Sequence, residues 1–332
     1  MYKADENRYD KMTYCYCGDS GLALPKISVG LWQNFGINDD YESMKDIILT
    51  AFDNGITHFD LANNYGPEPG RAEINFGRIF KENLKPHRDE LIISTKAGYE
   101  MWNGPYGGRG GSRKYLMASL DQSLNRMGLD YVDIFYHHCM TPETPLKETA
   151  LCLADIVRQG KALYVGISNY DGMNMRKMSN LLDDYNAPFI INQNRYSIFD
   201  RTIESNVLIT EAHDNKKGII AFSPLAQGQL SDKYENGISE SSRLYGKPNL
   251  QAHVGYNEER QSQINKLCQM AHNRGESLSQ MAIQWLVQNR DITSVLVGVH
   301  SKKQLLENLG SLSFEPLTNN ELKQIDIITN KS

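Results

Sequence analysis

The feature that most constrains this chain is an alternation: eight short apolar runs, each followed by a segment with helical periodicity. The runs span 27–31, 56–60, 91–95, 132–137, 162–167, 189–192, 218–222 and 294–297. Amphipathic stretches lie between them at 41–54, 71–83, 112–127, 145–159, 171–184, 204–215 and 278–288, and 302–309 closes the series. Strands read as near-continuous apolar runs are buried on both faces, so the alternation predicts parallel strands covered by helices. Eight such units fit a closed (β/α)8 TIM barrel better than an open sheet. Hydrophobic residues make up 40% and charged residues 23%, enough for a full core without disulfides. A single barrel domain over 1–332, with insertions, is the expected organisation.

Three segments fall outside the rhythm. Residues 12–24 place Gly18-Asp19-Ser20-Gly21 between two β-prone runs, which predicts a hairpin ahead of the barrel, with Cys15 and Cys17 on one face. Residues 98–111 form a Gly-rich loop carrying Trp102 and Tyr106; without the Lys-Ser/Thr of a phosphate loop, it reads as a lid or substrate wall. Residues 225–257 are a long turn-rich excursion of the functional kind. Both loops follow strand C-termini, where barrels build their sites. A last helix is expected over 317–329, begun at Thr318.

Several classes are disfavoured. A net charge of -5 and a pI near 5.9 provide no basic face, so nucleic acid is not an expected partner. No apolar run approaches the ~18 residues of a membrane span, and the N-terminus is polar and acidic, which predicts a cytoplasmic protein. The five cysteines are scattered without zinc spacing and are expected to be reduced.

The barrel reading turns strand-end polar residues into site candidates: Asp60, Lys96, His137, His138, Ser168, Asn169, Gln193 and Ser223. The stretch 56–67 stands out, because its strand ends in Asp60 and runs into an Asn-Asn-Tyr-Gly-Pro loop carrying Tyr65. A phenol with a pKa of about 10 is a poor proton source near neutrality. A neighbouring ammonium favours the phenolate and lowers that pKa, and a carboxylate holds the ammonium in place. Asp60, Lys96 and Tyr65 supply this relay, and an imidazole across the cavity can orient a carbonyl oxygen. Carbonyl reduction with a hydride cofactor is the reaction that suits the set. A metal site built on His58, Asp60, His137 and His138 is the competing reading, weakened by the lack of a second carboxylate at later strand ends. No Gly-x-Gly-x-x-Gly follows any strand, which argues against an open nucleotide-binding sheet.

Six motifs in order carry a family resemblance: Gly-Ile-Thr-His-Phe-Asp-Leu-Ala-Asn-Asn-Tyr-Gly (55–66), Ile-Ser-Thr-Lys-Ala-Gly-Tyr (93–99), Tyr-Val-Asp-Ile-Phe-Tyr-His-His (131–138), Gly-Ile-Ser-Asn (166–169), Phe-Ser-Pro-Leu-Ala-Gln-Gly (222–228) and Gln-Leu-Leu-Glu-Asn (304–308). Over roughly residues 12 to 328 the chain resembles the aldo-keto reductases, in particular bacterial members similar to potassium-channel β subunits. The resemblance implies NADPH-dependent reduction of small aldehydes such as L-glyceraldehyde 3-phosphate and methylglyoxal. It implies Asp60, Tyr65, Lys96 and His138 as the catalytic tetrad, with Tyr65 as general acid and His138 preferred to His137 by register.

Further roles follow from the same resemblance. Ser168, Asn169 and Gln193 would hold the nicotinamide carboxamide, and Phe222 would stack on its ring. Trp32, Ser223, Pro224, Leu225, Gln227, Gly228, Lys233 and Arg243 would line the rest of the cofactor, making 225–257 a clasp. Gly298, His300, Gln304, Glu307 and Asn308 would meet the adenosine end. Related sequences often carry Ser or Thr at His300 and Arg at Gln304, which leaves Lys302 and Lys303 as cations for a 2′-phosphate. Trp32, Tyr65, Trp102 and Tyr106 would line the substrate pocket, with Arg71 and Arg113 as candidate phosphate anchors. A homo-oligomer, tetramer or octamer, is expected by analogy. The alternative to an enzyme is an NADP-binding redox-sensing subunit.

Overall fold

The computed structural model describes residues 2–240, 242 and 244–331. A two-stranded antiparallel hairpin, β1 (Tyr14–Tyr16) and β2 (Ala23–Pro25), precedes a closed parallel barrel. The barrel strands are β3 (Ile27–Gly30), β4 (His58–Asp60), β5 (Ile92–Ala97), β6 (Val132–His137), β7 (Ala162–Ser168), β8 (Phe189–Arg195), β9 (Gly218–Phe222) and β10 (Ser294–Val297), with β10 closing on β3. All eight anticipated strands are present, and the order follows the chain.

The helices are α1 (Tyr41–Asp53), α2 (Arg71–Ile79), α3 (Arg113–Met127), α4 (Leu146–Arg158), α5 (Gly172–Asp184), α6 (Thr202–Ser205), α7 (Leu208–Asp214), α8 (Pro248–His253), α9 (Glu258–Asn273), α10 (Leu278–Val287), α11 (Lys302–Gly310) and α12 (Asn319–Ile328). Their starts follow capping chemistry: Ser112 accepts from the Tyr115 amide, Asp171 from Asn174, and Thr318 forms a capping box with Glu321. Among the described residues no helix is long and apolar enough to cross a membrane.

Pleat alternation sorts each strand into two faces. Outward residues such as Val29, Phe59, Ile93, Phe135 and Val165 are buried in the main core with the helices. The inward set is layered. At the N-terminal end Ile92, Ile134, Ile191 and Ile220 pack with Leu24 and Cys17, so the hairpin plugs that end of the barrel. Cys17 lies one residue past β1 and is fully buried, whereas Cys15 is only partly covered; the two do not share an environment as the sequence spacing predicts. Burial pushes the Cys17 thiol up to about 12, so it is inert.

The middle of the barrel is polar and its bonds run continuously. Ser294 donates to the Pro25 carbonyl (2.6 Å) and touches Ser28 (2.7 Å), Ser28 and Ser94 each lie 2.9 Å from a nitrogen of His58, and Ser94 donates to Asp60 (2.7 Å). Above it, Tyr136 pairs across β6 and β7 with Gly166, where an added Cβ would lie 2.4 Å from the Tyr136 ring. Gly166→Ala is therefore expected to destabilise by about 1–3 kcal/mol through overpacking. Urea unfolding reads this directly, and an unchanged midpoint would mean that the Tyr136 ring yields without cost.

Three departures from the sequence expectation have physical causes. The stretch 204–215 is two helices, because Val207 takes a left-handed φ of 55° between α6 and α7. The stretch 71–83 passes from α2 into a π-helical turn, Phe80–Leu84. An unanticipated helix, α9, follows the 225–257 excursion; it buries Ile264, Leu267, Cys268 and Ala271 at helical spacing and is capped by Asn257.

Candidate active site

The C-terminal ends of the strands open into a cavity of about 500 Å³. β4 ends on Asp60, and β5 runs past the expected end, so that Lys96 lies within the strand rather than after it. Both side chains are fully buried and paired to one another. The Lys96 ammonium also donates to the Leu61 carbonyl (2.7 Å) and to the Tyr65 hydroxyl (3.2 Å). Asp60 accepts in addition from Ser94 (2.7 Å) and Gln193 (3.2 Å). Tyr65 and His138 line the cavity with their ring centroids 5.9 Å apart, and Tyr99 sets its edge against His138 at 4.6 Å.

The protonation states follow from burial. Desolvation holds the Tyr65 phenol well above its ordinary value, with the Asp60 carboxylate and Tyr99 adding to it. Burial thus sets the resting state of the phenol, which stays protonated with the ammonium 3.2 Å away. Burial also lowers the Lys96 pKa against the opposing pull of Asp60. His138 is pushed well below its usual range by burial, then by Lys96 and His137, so it faces the cavity as neutral imidazole. The site is a protonated phenol on a buried ion pair beside a neutral imidazole.

Of the other anticipated residues, Trp32, Asn169, Gln193 and Phe222 lie on the cavity wall. So do Ser223, Pro224, Leu225, Gln227 and Gly228 from the turn after β9, with Gly298 and Gln304 beyond β10. Ser168 is buried behind Asn169, its hydroxyl donating to the Gln193 carbonyl (2.9 Å), while the Asn169 amide donates to the His138 carbonyl (3.1 Å). Asn308, off the wall and near the end of α11, is buried, and its amide nitrogen has no protein partner. Lys233, His300 and Glu307 are exposed and off the wall. Arg243 lies outside the described residues.

The substrate-wall expectation for Trp102 and Tyr106 meets a different geometry. Trp102 packs on the core, its ring 5.3 Å from Tyr115, and Gly107 presses against the indole where any Cβ would collide. Tyr106 is exposed beside Lys114. Neither lines the cavity; Tyr99 and Arg195 do. Both stand at legible positions, Tyr99 three past Lys96 and Arg195 two past Gln193, on the same strand face. Arg71 donates from Nε and Nη2 to one Glu68 oxygen, and Arg113 donates to Asp155 (2.5 Å); neither lines the cavity. For the metal reading, both His58 nitrogens are occupied by Ser28 and Ser94, and burial lowers this imidazole to about 4. Among the described residues no group of three or more His, Cys, Asp or Glu is placed to hold a metal ion.

The structure is a closed parallel eight-stranded barrel with a buried Lys-Asp pair, a phenol and an imidazole at its C-terminal rim. The chain belongs to the aldo/keto reductase family, whose model matches residues 26–330, and it is an oxidoreductase. It is 51% identical over 329 residues to an L-glyceraldehyde 3-phosphate reductase of Escherichia coli O157:H7, covering 98% of this chain and 95% of the relative. A protein of the same description from Escherichia coli strain K12 is 50% identical over the same shares.

Proposed function

We propose that the protein reduces the carbonyl of small aldehydes, L-glyceraldehyde 3-phosphate and methylglyoxal among them, using NADPH as reductant and Tyr65 as proton donor. The observation that carries this reading is the Lys96 ammonium bonded at once to Asp60 and to the Tyr65 hydroxyl beneath an open cavity. The names of the relatives support the substrate class.

The cavity suits a dinucleotide. The Phe222 ring is half-buried and forms wall, the Asn308 amide lacks a partner, and Ser223, Ala226 and Gln227 hold φ of 54°, 45° and 58°, curving the backbone around the cavity edge. A bound NADPH supplies hydride to the carbonyl carbon. Asn169 and Gln193, with Ser168 fixing the strand ends, hold the carboxamide. Phe222 stacks on the nicotinamide, the 223–228 turn follows the pyrophosphate, Gly298, Gln304, Glu307 and Asn308 meet the adenosine end, and the exposed Lys302 and Lys303 answer the 2′-phosphate. Trp32 closes the substrate side. His138, as neutral imidazole, orients the carbonyl oxygen toward the Tyr65 hydroxyl, which delivers its proton as charge develops on that oxygen. The adjacent ammonium then stabilises the phenolate left behind. The same resemblance leads us to expect a cytoplasmic homo-oligomer, tetramer or octamer, which light scattering would size.

The test is consumption of NADPH, against NADH, with each aldehyde. Tight NADPH binding without turnover would instead leave a redox-sensing subunit. Phe222→Ala is expected to weaken NADPH binding roughly 2- to 12-fold, as loss of about 0.5–1.5 kcal/mol of aromatic stacking, and to relax which hydrogen is transferred. Unchanged affinity with a single transferred hydrogen would remove Phe222 from this role.

A further inference from the structure

Resting on the reductase reading, the electrostatics of the cavity wall assign a further residue. The chain carries 40 Asp and Glu against 35 Lys and Arg, yet no carboxylate lines the cavity. His138 is neutral there, so Arg195 is the one full charge on the described wall. It is the last residue of β8, directly opposite Phe222 in register, and its guanidinium carbon lies 6.0 Å from that ring. Its nearest carboxylate oxygen, on Asp200, is 4.0 Å from Nε, beyond hydrogen-bond reach. Asp200 accepts from the Thr202 hydroxyl (2.8 Å) and amide (3.2 Å) at Oδ1, and the oxygen facing Arg195 is Oδ2. Arg71 and Arg113 are held by close carboxylates away from the cavity, whereas Arg195 lines it and its one carboxylate neighbour is no nearer than 4.0 Å.

A second arginine, Arg109, is exposed and off the cavity lining but reaches a ring of the wall, that of Tyr99. Arg109 lies 5.4 Å over the Tyr99 ring, and its Nε donates to Cys139 Sγ (3.2 Å). The charges of both arginines reach the Tyr99 hydroxyl, and Tyr99 touches His138. Tyr99 and His138 mark the end of the cavity where the carbonyl would be oriented, and Arg195 stands between them and Phe222 on the same wall.

We propose that Arg195, seconded by Arg109, forms an anion subsite that takes the phosphate of a short phosphorylated aldehyde while its carbonyl lies at Tyr65. An uncharged aldehyde makes no use of the subsite. A planar guanidinium with unused donors matches a phosphate bidentately, and a wall free of carboxylates leaves that attraction unopposed.

The experiment compares kcat and KM of wild type, Arg195→Gln, Arg195→Lys and Arg109→Gln on glyceraldehyde 3-phosphate and on methylglyoxal, with NADPH Kd measured alongside. For Arg195→Gln, kcat/KM for the phosphorylated substrate is expected to fall on the order of 10- to 100-fold, mostly through KM, as a charged hydrogen-bonding partner is lost. Methylglyoxal kinetics and NADPH Kd should not move. Arg195→Lys should recover part of the loss, Arg109→Gln should show a smaller one, and inorganic phosphate should compete with the phosphorylated aldehyde in wild type but not in Arg195→Gln. Equal losses on both aldehydes, a raised NADPH Kd, or no loss on either would overturn the subsite alone. A wild type that reduces neither aldehyde would overturn the reductase reading and the subsite with it.

Discussion

Tyr65→Phe is expected to lower kcat/KM for aldehyde reduction by about 10²- to 10⁴-fold, the usual contribution of a positioned proton donor, while leaving NADPH affinity unchanged. The ring stays in place, so only the hydroxyl is removed from its 3.2 Å contact with Lys96. Burial keeps that hydroxyl protonated through the neutral range, which makes it an acid in reserve. The remaining candidate, His138, is neutral and pushed further from protonation by burial and by Lys96, so it is a poor substitute. Retention of more than a tenth of the activity would shift the donor role to water or His138, and loss of cofactor binding would make Tyr65 a structural residue. Both are read in one titration and one rate measurement.

The barrel was legible because its outward faces are mostly apolar. Val29, Phe59, Ile93 and Phe135 mark their strands whatever faces inward. Of the inward polar column, His58 and Asp60 were legible, but Ser28 and Ser94, which bond to them, read as ordinary strand residues until the pleat aligns them. His138 stands where the sequence places it, one past β6, whereas Lys96 falls inside β5 because that strand's end extends by pairing with its neighbour. The break at Val207 is imposed from outside its own segment: the Asn206 carbonyl accepts from the Gly172 amide, and α5 begins hard against it. Trp102 looked free because its loop is rich in glycine; one of them, Gly107, instead lets the loop fold onto the indole. The α9 stripe was present in the sequence, at Ile264, Leu267, Cys268 and Ala271, but is thin among polar neighbours. The chemistry on the wall needed the structure most, since Arg195 has no motif of its own.

Lys96→Met is expected to damage stability and activity together, and a second substitution separates the two. Lys96 and Asp60 are both fully buried, and removing the ammonium leaves a carboxylate whose remaining donors are Ser94 and Gln193. Breaking a buried pair from one side costs about 3–5 kcal/mol, because the partner charge is stranded. Adding Asp60→Leu removes the stranded charge and should restore part of that stability, whereas activity stays low because the phenolate formed at Tyr65 still lacks its cation. Denaturant unfolding of the single and double variants reads the coupling; equal stability in the two would mean that Asp60 is content without its partner. The pH profile gives a further check. Burial depresses the Lys96 pKa below the ordinary lysine range, so the ammonium is lost, and activity with it, as pH rises through that depressed value. Wild type should show this alkaline limb and Lys96→Met should lack it; a limb that persists in the variant would assign the titration to another group and leave Lys96 only the structural half of its role.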